Sequence, residues 1–408
     1  MATRSKKRGL YFAAQTGDIE TDPDDDGNDV PAKYKQIKLE DLGMLSDDFT
    51  MDDSGFLRGK NRVAPMDAGV DGASFTFSTV LQGVEDAAAT GSEAMPADDW
   101  LSLILENVFG APDQNVSTGV GTGSAAGTLV LDADTLAAQD LVPVQSTGTN
   151  SGRAQWRPVT NAASPYTVGA NWAATPDGTE IAFGTDQYRH STAVDSGGGN
   201  QLAAYYLFDD LRYTLLGGRI TSLKITLAAM QKAKIDASIQ FDSKVRGPKS
   251  SEATFLAGAG PMAGVPIRGT LSPLFWGGTA YATSSIELDF GLSTTVAEAT
   301  SGPNGRSAIE VISADPVITI SPPHGTNWED DFRAGTQRSL LIQFGGGVFD
   351  AAADRLNTCC FFANAAQAKS VQITDDAGRA RSAIQLTVVD AGEVAANTDY
   401  TYWVFARA

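Results

Sequence analysis

With 408 residues, 42 of them glycine, and a formal net charge of −19, the chain is long enough for one large β-domain with additions or for two to three domains, and needs no staple to fold. An excess of 49 acids over 30 bases argues against a face built to bind nucleic acid, because affinity for phosphate comes from clustered Lys and Arg. The two cysteines, Cys359 and Cys360, are adjacent, a spacing that seldom reaches comfortable disulfide geometry, so two buried strand thiols are the simpler reading.

From the N-terminus, Arg4, Lys6, Lys7 and Arg8 put +4 into the first eight residues, and between Gly17 and Ser54 there are 13 Asp or Glu against 3 Lys, a local balance of −10. The basic start turns acidic before an adequate apolar segment forms, so no signal peptide is expected. No run approaches membrane-spanning length either, and the chain reads as a soluble protein made in a cytoplasm. Residues 1–64 are polar and weakly periodic, which predicts an extended acidic arm rather than core. Such an arm would be a solvated tail or a strap onto an oppositely charged neighbouring subunit. Within it, "TDPDDDGNDV" sets Asp22, Asp24 and Asp26 before Gly27, the D-x-D-x-D-G start of an oxygen-ligand calcium loop. Position twelve is Lys33 instead of a bidentate Glu, and the competing reading is a solvated acidic turn. Ca2+ at these three residues is the one cofactor candidate.

Residues 65–110 open the core. "GASFTFSTVL" predicts a strand with Phe75 and Phe77 on one face. "MPADDWLSLILENVFG" predicts a helix over 96–109, with Pro96 near its start, Asp98 and Asp99 in the first turn and Gly110 at its end. Trp100, Leu103, Ile104 and Val108, joined by Leu101 and Leu105, make a wide apolar stripe. Residues 111–202 are loop-like with short strands, "GTLVLDA" and "TEIAFGT", and read as an insertion or second β-module. Gly121, Gly123 and Ala126 formally fit G-x-G-x-x-A, but they lead into a strand rather than opening a helix, so a loop is the better reading.

Residues 203–408 carry the main part of the core. In "GGRITSLKITLAAMQKAKIDASIQF", Leu223, Ile225 and Leu227 alternate with Ser222, Lys224 and Thr226. After the link Ala228 to Lys232, Ile235, Ala237, Ile239 and Phe241 alternate with Lys234, Asp236, Ser238 and Gln240. This is a hairpin with one apolar and one polar face. "SSIELDFGL", "DPVITISPP", "QRSLLIQFGGG", "NTCCFFANA", "SVQIT", "SAIQLTVVD" and "YTYWVFARA" supply further strands. The whole predicts a mainly β fold, a β-sandwich or partial barrel with one packing α-helix.

Chemistry is scarce. His190 and His324 are the only histidines and neither has metal or triad spacing. "PPHGTNWEDDF" places His324 in a loop near Glu329, Asp330 and Asp331, where a turn histidine beside solvated acids is far commoner than an acid–base site. No cysteine–histidine pair is suitably placed and no G-x-S-x-G elbow occurs. The expectation is that the chain is not an enzyme.

The order of these elements resembles the tail tube proteins (major tail proteins) of long-tailed bacteriophages. The likeness rests on the early strand "GASFTFSTVL", the helix ending "ENVFGA", the Gly-led central hairpin, "LSPLFWGGTAYATSSIELDFGLS" and the strands closing near "SAIQLTVVDAG", and it covers roughly 63–110 and 203–408. It implies a virion protein, assembled in the host bacterial cytoplasm, that forms stacked, hexameric rings with a continuous inner β-barrel, a hollow conduit for genome delivery. Its implied partners are itself, the tape measure protein, the tail terminator and baseplate or tip proteins, and phage DNA in transit without specific binding. It also implies that the polar hairpin face, Ser222, Lys224, Thr226, Lys234, Asp236, Ser238 and Gln240, looks into the lumen. Two readings compete. One is a β-sandwich carbohydrate-binding or adhesion module with Trp156, Trp172, Trp276 and Trp328 as surface stacking platforms. The other is a hydrolase with an unrecognised acidic pair.

Overall fold

The computed structural model describes residues 8–15, 34–37, 39–53, 66–82, 100–115, 118–132, 136, 140–146, 154–161, 164–169, 172, 175–176, 180–182, 184–189, 201–208, 211–248, 266–269, 272–298, 306–345, 349–350, 355–356, 358–376, 379–389 and 403–408. The protein is mainly β, with a 19-stranded antiparallel sheet and, among the described residues, two helices. No helix among them is long and apolar enough to cross a membrane.

Alternation builds the middle of the sheet. On strands Leu211–Ala228 and Lys234–Phe241, Leu223, Ile225, Leu227, Ile235, Ala237, Ile239 and Phe241 are buried, and the polar residues between them are not. Phe75 and Phe77 on Met66–Val80, Ile286 and Leu288 on Ser285–Asp289, Ile318 and Ile320 on Val317–Ile320, and Ile384 and Leu386 on Arg379–Val388 extend the same apolar face into the main core. Each such side chain contributes roughly 1.5–3 kcal/mol by leaving water. A one-residue slip of any strand would turn its whole apolar set outward, which is why the register holds.

The Gly-led start of the hairpin is where the sheet turns. The first half of Leu211–Ala228 pairs with Gln201–Phe208 and Ser243–Pro248, the second half with Lys234–Phe241 and Ser285–Asp289. At the change of partner Gly217 has φ +69°, and a Cβ on Gly218 would lie 2.4 Å from the Phe241 ring, so both positions need glycine. Ladder bonds lost at the bend are replaced by side-chain amides. Asn107 on the first helix donates Nδ2–H to the Gly218 carbonyl (3.1 Å) and accepts the Ile220 N–H at Oδ1 (2.9 Å), while Gln15 Oε1 accepts the Gly217 N–H (2.8 Å).

That first helix, Trp100–Phe109, is closed by Gly110 at φ +80°, whose N–H reaches the Glu106 carbonyl. Its burial runs almost all round, beyond the predicted stripe: only Glu106 is half-exposed. Residues 96–99 lie outside the described residues.

The expectation of an N-terminal arm without core residues needs correction. Strand Arg8–Gln15 pairs along its whole length with Gln201–Phe208, and Leu39–Leu42 and Ser46–Asp53 pair with Met66–Val80. Leu10 and Phe12 enter the main core, while Tyr11 and Ala13 join a second cluster in which Tyr34 stacks on Tyr205 at 3.8 Å. Because both faces are covered, Leu10 to Ala13 read as an apolar run with no alternation. Asp22, Asp24, Asp26 and Lys33 lie outside the described residues.

Residues between 118 and 182 form a small unit with its own cluster, including Val120, Leu129, Val142, Val144, Tyr166 and Trp172. The chain leaves the main sheet after Asp113–Asn115 and returns at Thr185–Arg189, two strands that pair with each other. At the seam, Leu141, Ala154 and Trp156 pack against Leu341, Cys360, Phe362 and Val404. Arg157, itself buried, lies over the Trp172 and Phe275 rings. In "GTGSAAG" the Gly121 N–H bonds the Val130 carbonyl, and the Ser124 hydroxyl bonds the Gly121 carbonyl, a turn with no helix behind it.

A second helix, Thr326–Ala334, occupies a stretch expected to be loop, and the expectation of a single helix is corrected accordingly. Gly335 ends it at φ +63°. Trp328 packs on Trp276 and Tyr281, and Asp331 ties the helix down by accepting the Trp276 indole N–H (2.9 Å) and two guanidinium bonds from Arg338 (2.8 Å each). Arg338 holds the Asp331 carboxyl below the usual carboxylate range, helped by Trp276. A depressed folded pKa stabilises above the unfolded value, ~3.9, and is lost as pH falls through the folded one. Asp331→Asn is therefore expected to lower stability at pH 7 by about 1–2 kcal/mol and to flatten part of the acid side of the stability profile, measured by urea unfolding from pH 2.5 to 7. An unchanged acid limb would show that the pair carries none of it.

Candidate functional site

The hydrophilic side of the central sheet gathers polar side chains from several paired strands into one surface. Ser222 and Lys234 are exposed, and Lys224, Thr226, Asp236, Ser238 and Gln240 are partly so; none of the seven is buried. They form one surface because alternation on two paired strands brings them together. Ser222 lies opposite Ser238, Lys224 opposite Asp236 and Thr226 opposite Lys234.

Neighbouring strands continue this surface. Ser74, Thr76 and Ser78 stand opposite Gln240, Ser238 and Asp236, with the Ser78 hydroxyl donating to the Asp236 carboxylate. On the other flank Asp289 and Glu287 lie opposite Lys224 and Thr226, followed by Thr319 and then Gln385.

Electrostatically the surface is close to neutral. Lys224 Nζ lies 2.7 Å from Glu287, and that carboxylate raises the lysine above its ordinary range, with Asp289 and Asp236 adding to the effect. Glu40 takes Lys232 at 3.3 Å and Lys234 at 3.8 Å. Three lysines thus meet four carboxylates, Glu40, Asp236, Glu287 and Asp289. These pairs are solvent-exposed and each is worth at most ~1 kcal/mol. Their effect is on the field above the sheet, not on its stability.

The other candidates are dispersed. His324 Nδ1 lies 3.2 Å from the Ser382 hydroxyl. Of the acids near it in sequence, Glu329 pairs with Arg333, Asp330 is exposed, and Asp331 has its oxygens occupied by Trp276 and Arg338. His190 lies outside the described residues. Cys359 and Cys360 are not joined in a disulfide and are buried on opposite sides of their strand, one in the main core and the other at the seam, where burial pushes the Cys360 thiol well up. Trp156, Trp172, Trp276 and Trp328 are all buried, so the expectation of surface stacking platforms is corrected: their rings fill the cores. No group of three or more His, Cys, Asp or Glu among the described residues is arranged to hold a metal ion.

Sequence reading also missed a set of charged groups around the strand Thr185–Arg189. Arg407, fully buried, reaches Asp186 and Ser102; Gln114 also donates to Asp186; and Arg189 joins Asp113 and Asp140. An isolated charged residue in an otherwise apolar strand, Arg407 in "WVFAR", is the signal that could have found it; Asp186 stands in the polar "TDQYR" and gave no such contrast.

No model of a known protein family matches the chain, and no curated protein matches it.

Proposed function

We propose that the chain is a structural subunit of a tube, a tail tube protein of a long-tailed bacteriophage, and that the polar face of its central sheet lines the channel. The observation that carries this reading is the pairing of Lys224, Lys232 and Lys234 with carboxylates. A conduit for DNA has to be wettable along its length and must not hold phosphate, and a broad sheet face of hydroxyls, amides and internally neutralised charges meets both requirements. The bent hairpin and the long strands Leu211–Ala228 and Cys359–Asp376, each serving two sets of partners, support a sandwich or partial barrel able to join its neighbours in a ring. On this reading the subunits form stacked hexameric rings, meet the tape measure, terminator and tip proteins in the virion tail, and pass DNA without binding it.

Negative-stain electron microscopy of the purified protein over a range of concentrations tests the proposal. Rings or tubes of uniform diameter are expected. A particle that stays monomeric at every concentration, or one whose thermal midpoint rises with a saccharide, would overturn it.

A further inference from the structure

The tip of the central hairpin holds an apolar side chain away from the protein on a backbone that does not favour it. Met230, between strands Leu211–Ala228 and Lys234–Phe241, has φ +65°, and among the described residues it is the only one other than glycine with a positive φ. A left-handed backbone crowds the Cβ of any residue but glycine. Packing gives nothing back, because Met230 is 82% exposed, the highest value among the large apolar side chains described.

The conformation is imposed from both flanks. Met230 N–H donates to the Gly269 carbonyl (3.2 Å), Gly269 N–H donates to the Gln231 carbonyl (2.7 Å), and on the other side Ala229 N–H donates to the Ser284 carbonyl (2.9 Å). A Cβ on Gly269 would lie 2.0 Å from the Ala228 carbonyl oxygen, so the two backbones touch directly. The thioether is thus carried on a braced turn. A strained, pre-organised apolar group with no partner in its own chain suits a contact with another one.

A second exposed apolar side chain stands toward the other end of the same strands. Register places Ser285 opposite Ala228, beside the tip, and Asp289 opposite Lys224, toward the bend. The ladder of Ser285–Asp289 with Val317–Ile320 continues past Asp289 into a two-stranded ribbon, Leu292–Glu298 with Arg306–Ala314. Arg219 holds this ribbon beside the bend by donating Nε–H to the Ile309 carbonyl (2.9 Å). Ile312 is the extra residue of a β-bulge between the pairs Ser293–Ser313 and Thr294–Val311, and it is 52% exposed. Counted along the strands, Met230 and Ile312 are on the order of 30 Å apart.

The two places differ in charge. Around the tip Lys232, Lys234 and Arg268 outnumber Glu40. The ribbon exposes Glu310, and Asp315 follows it, with no Lys or Arg at 291–298 or 307–320. Arg219, the cation beside it, is buried and spent on the carbonyls of Ile309 and Asn107.

We propose that Met230 is an assembly anchor: the hairpin tip of one copy of this chain seats on the ribbon of a second copy, with the thioether against Ile312 and with Lys232 and Arg268 against Glu310 and Asp315. The contact joins unlike surfaces, so it repeats along an axis instead of closing a dimer. It rests on the tube reading in one respect, that copies stack end to end, and it assigns the parts that meet between successive rings.

The test uses the full-length protein and Met230→Gly, which removes the side chain and suits the left-handed backbone. Its thermal midpoint, measured below the concentration at which the wild type assembles, is expected to equal or exceed the wild-type value. The concentration needed for assembly, followed by sedimentation and negative-stain microscopy, is expected to rise roughly tenfold or more. Met230→Leu, still apolar, is expected to assemble as the wild type does. In the double variant Met230→Cys, Ile312→Cys the two new thiols are too far apart to join within one chain, so mild oxidation is expected to give a ladder of covalent oligomers that neither single variant forms. Assembly of Met230→Gly at the wild-type concentration, a Met230→Gly midpoint below the wild-type value, or assembly of the double variant without the ladder would each overturn the anchor and leave the tube reading standing. A wild type that stays monomeric at every concentration removes both.

Discussion

Asn107→Ala is expected to lower the unfolding free energy by about 2–4 kcal/mol. The side-chain amide of Asn107 is fully buried and does the work of a missing peptide group. It accepts from the Ile220 N–H and donates to the Gly218 carbonyl where strand Leu211–Ala228 changes partners. Truncation leaves one buried donor and one buried acceptor unmet, at ~1–3 kcal/mol each. Asn107→Asp should retain acceptance from Ile220 but lose donation to Gly218, and should bury a charge beside an Arg219 already engaged with backbone carbonyls, so it is expected to be no better than alanine. Equilibrium urea unfolding with an unchanged m-value is the measurement. A loss below about 0.5 kcal/mol for both variants would show that the bend does not depend on the helix.

The same bend shows what was legible in the sequence. Wherever one face of a strand is buried and the other wet, as from Ser222 to Leu227 or Lys234 to Phe241, alternation displayed both the strand and its facing. Arg8–Gln15 carried no such contrast, because Tyr11 and Ala13 are as buried as Leu10 and Phe12. Its apolar run was lost between a basic start and an acidic segment. The helix Thr326–Ala334 was hidden for the opposite reason: it commits only Trp328 and Asp331 to the interior, leaves Phe332 exposed, and starts from Gly325 without a side-chain cap. The four tryptophans were misread because the polar and turn-forming residues around them resemble surface loops; Trp276 and Trp328 belong to the main core, Trp156 to the seam and Trp172 to the cluster of the inserted unit. For the candidate site, the polar stripe was legible and its electrostatics were not. Glu40 lies 192 residues from Lys232, and nothing local in either segment specifies that they meet.

Removing those distant carboxylates is expected to turn a non-binding surface into a DNA-binding one. In the double variant Glu40→Gln, Glu287→Gln, the lysines 224, 232 and 234 lose the carboxylates they pair with, so the face gains two units of positive charge per subunit relative to the wild type. The fold should survive, because exposed pairs of this kind contribute at most ~1 kcal/mol each. On the tube reading the change is multiplied around every ring and repeated at every stacked ring, and DNA in the channel then gains affinity by counterion release, with a slope of log K against log salt of about −0.9 per phosphate neutralised. Assembled wild-type protein is expected to show no retention of duplex DNA, and the assembled double variant to show retention that disappears between about 50 and 200 mM salt. Ser238→Lys with Gln240→Lys, which adds charge to the same face and leaves the native pairs intact, should do the same and slow genome ejection. Both variants are compared with Arg333→Lys on the second helix, which leaves the charge unchanged. If both double variants assemble normally and bind no more DNA than wild type at low salt, the polar face of the hairpin does not line the channel.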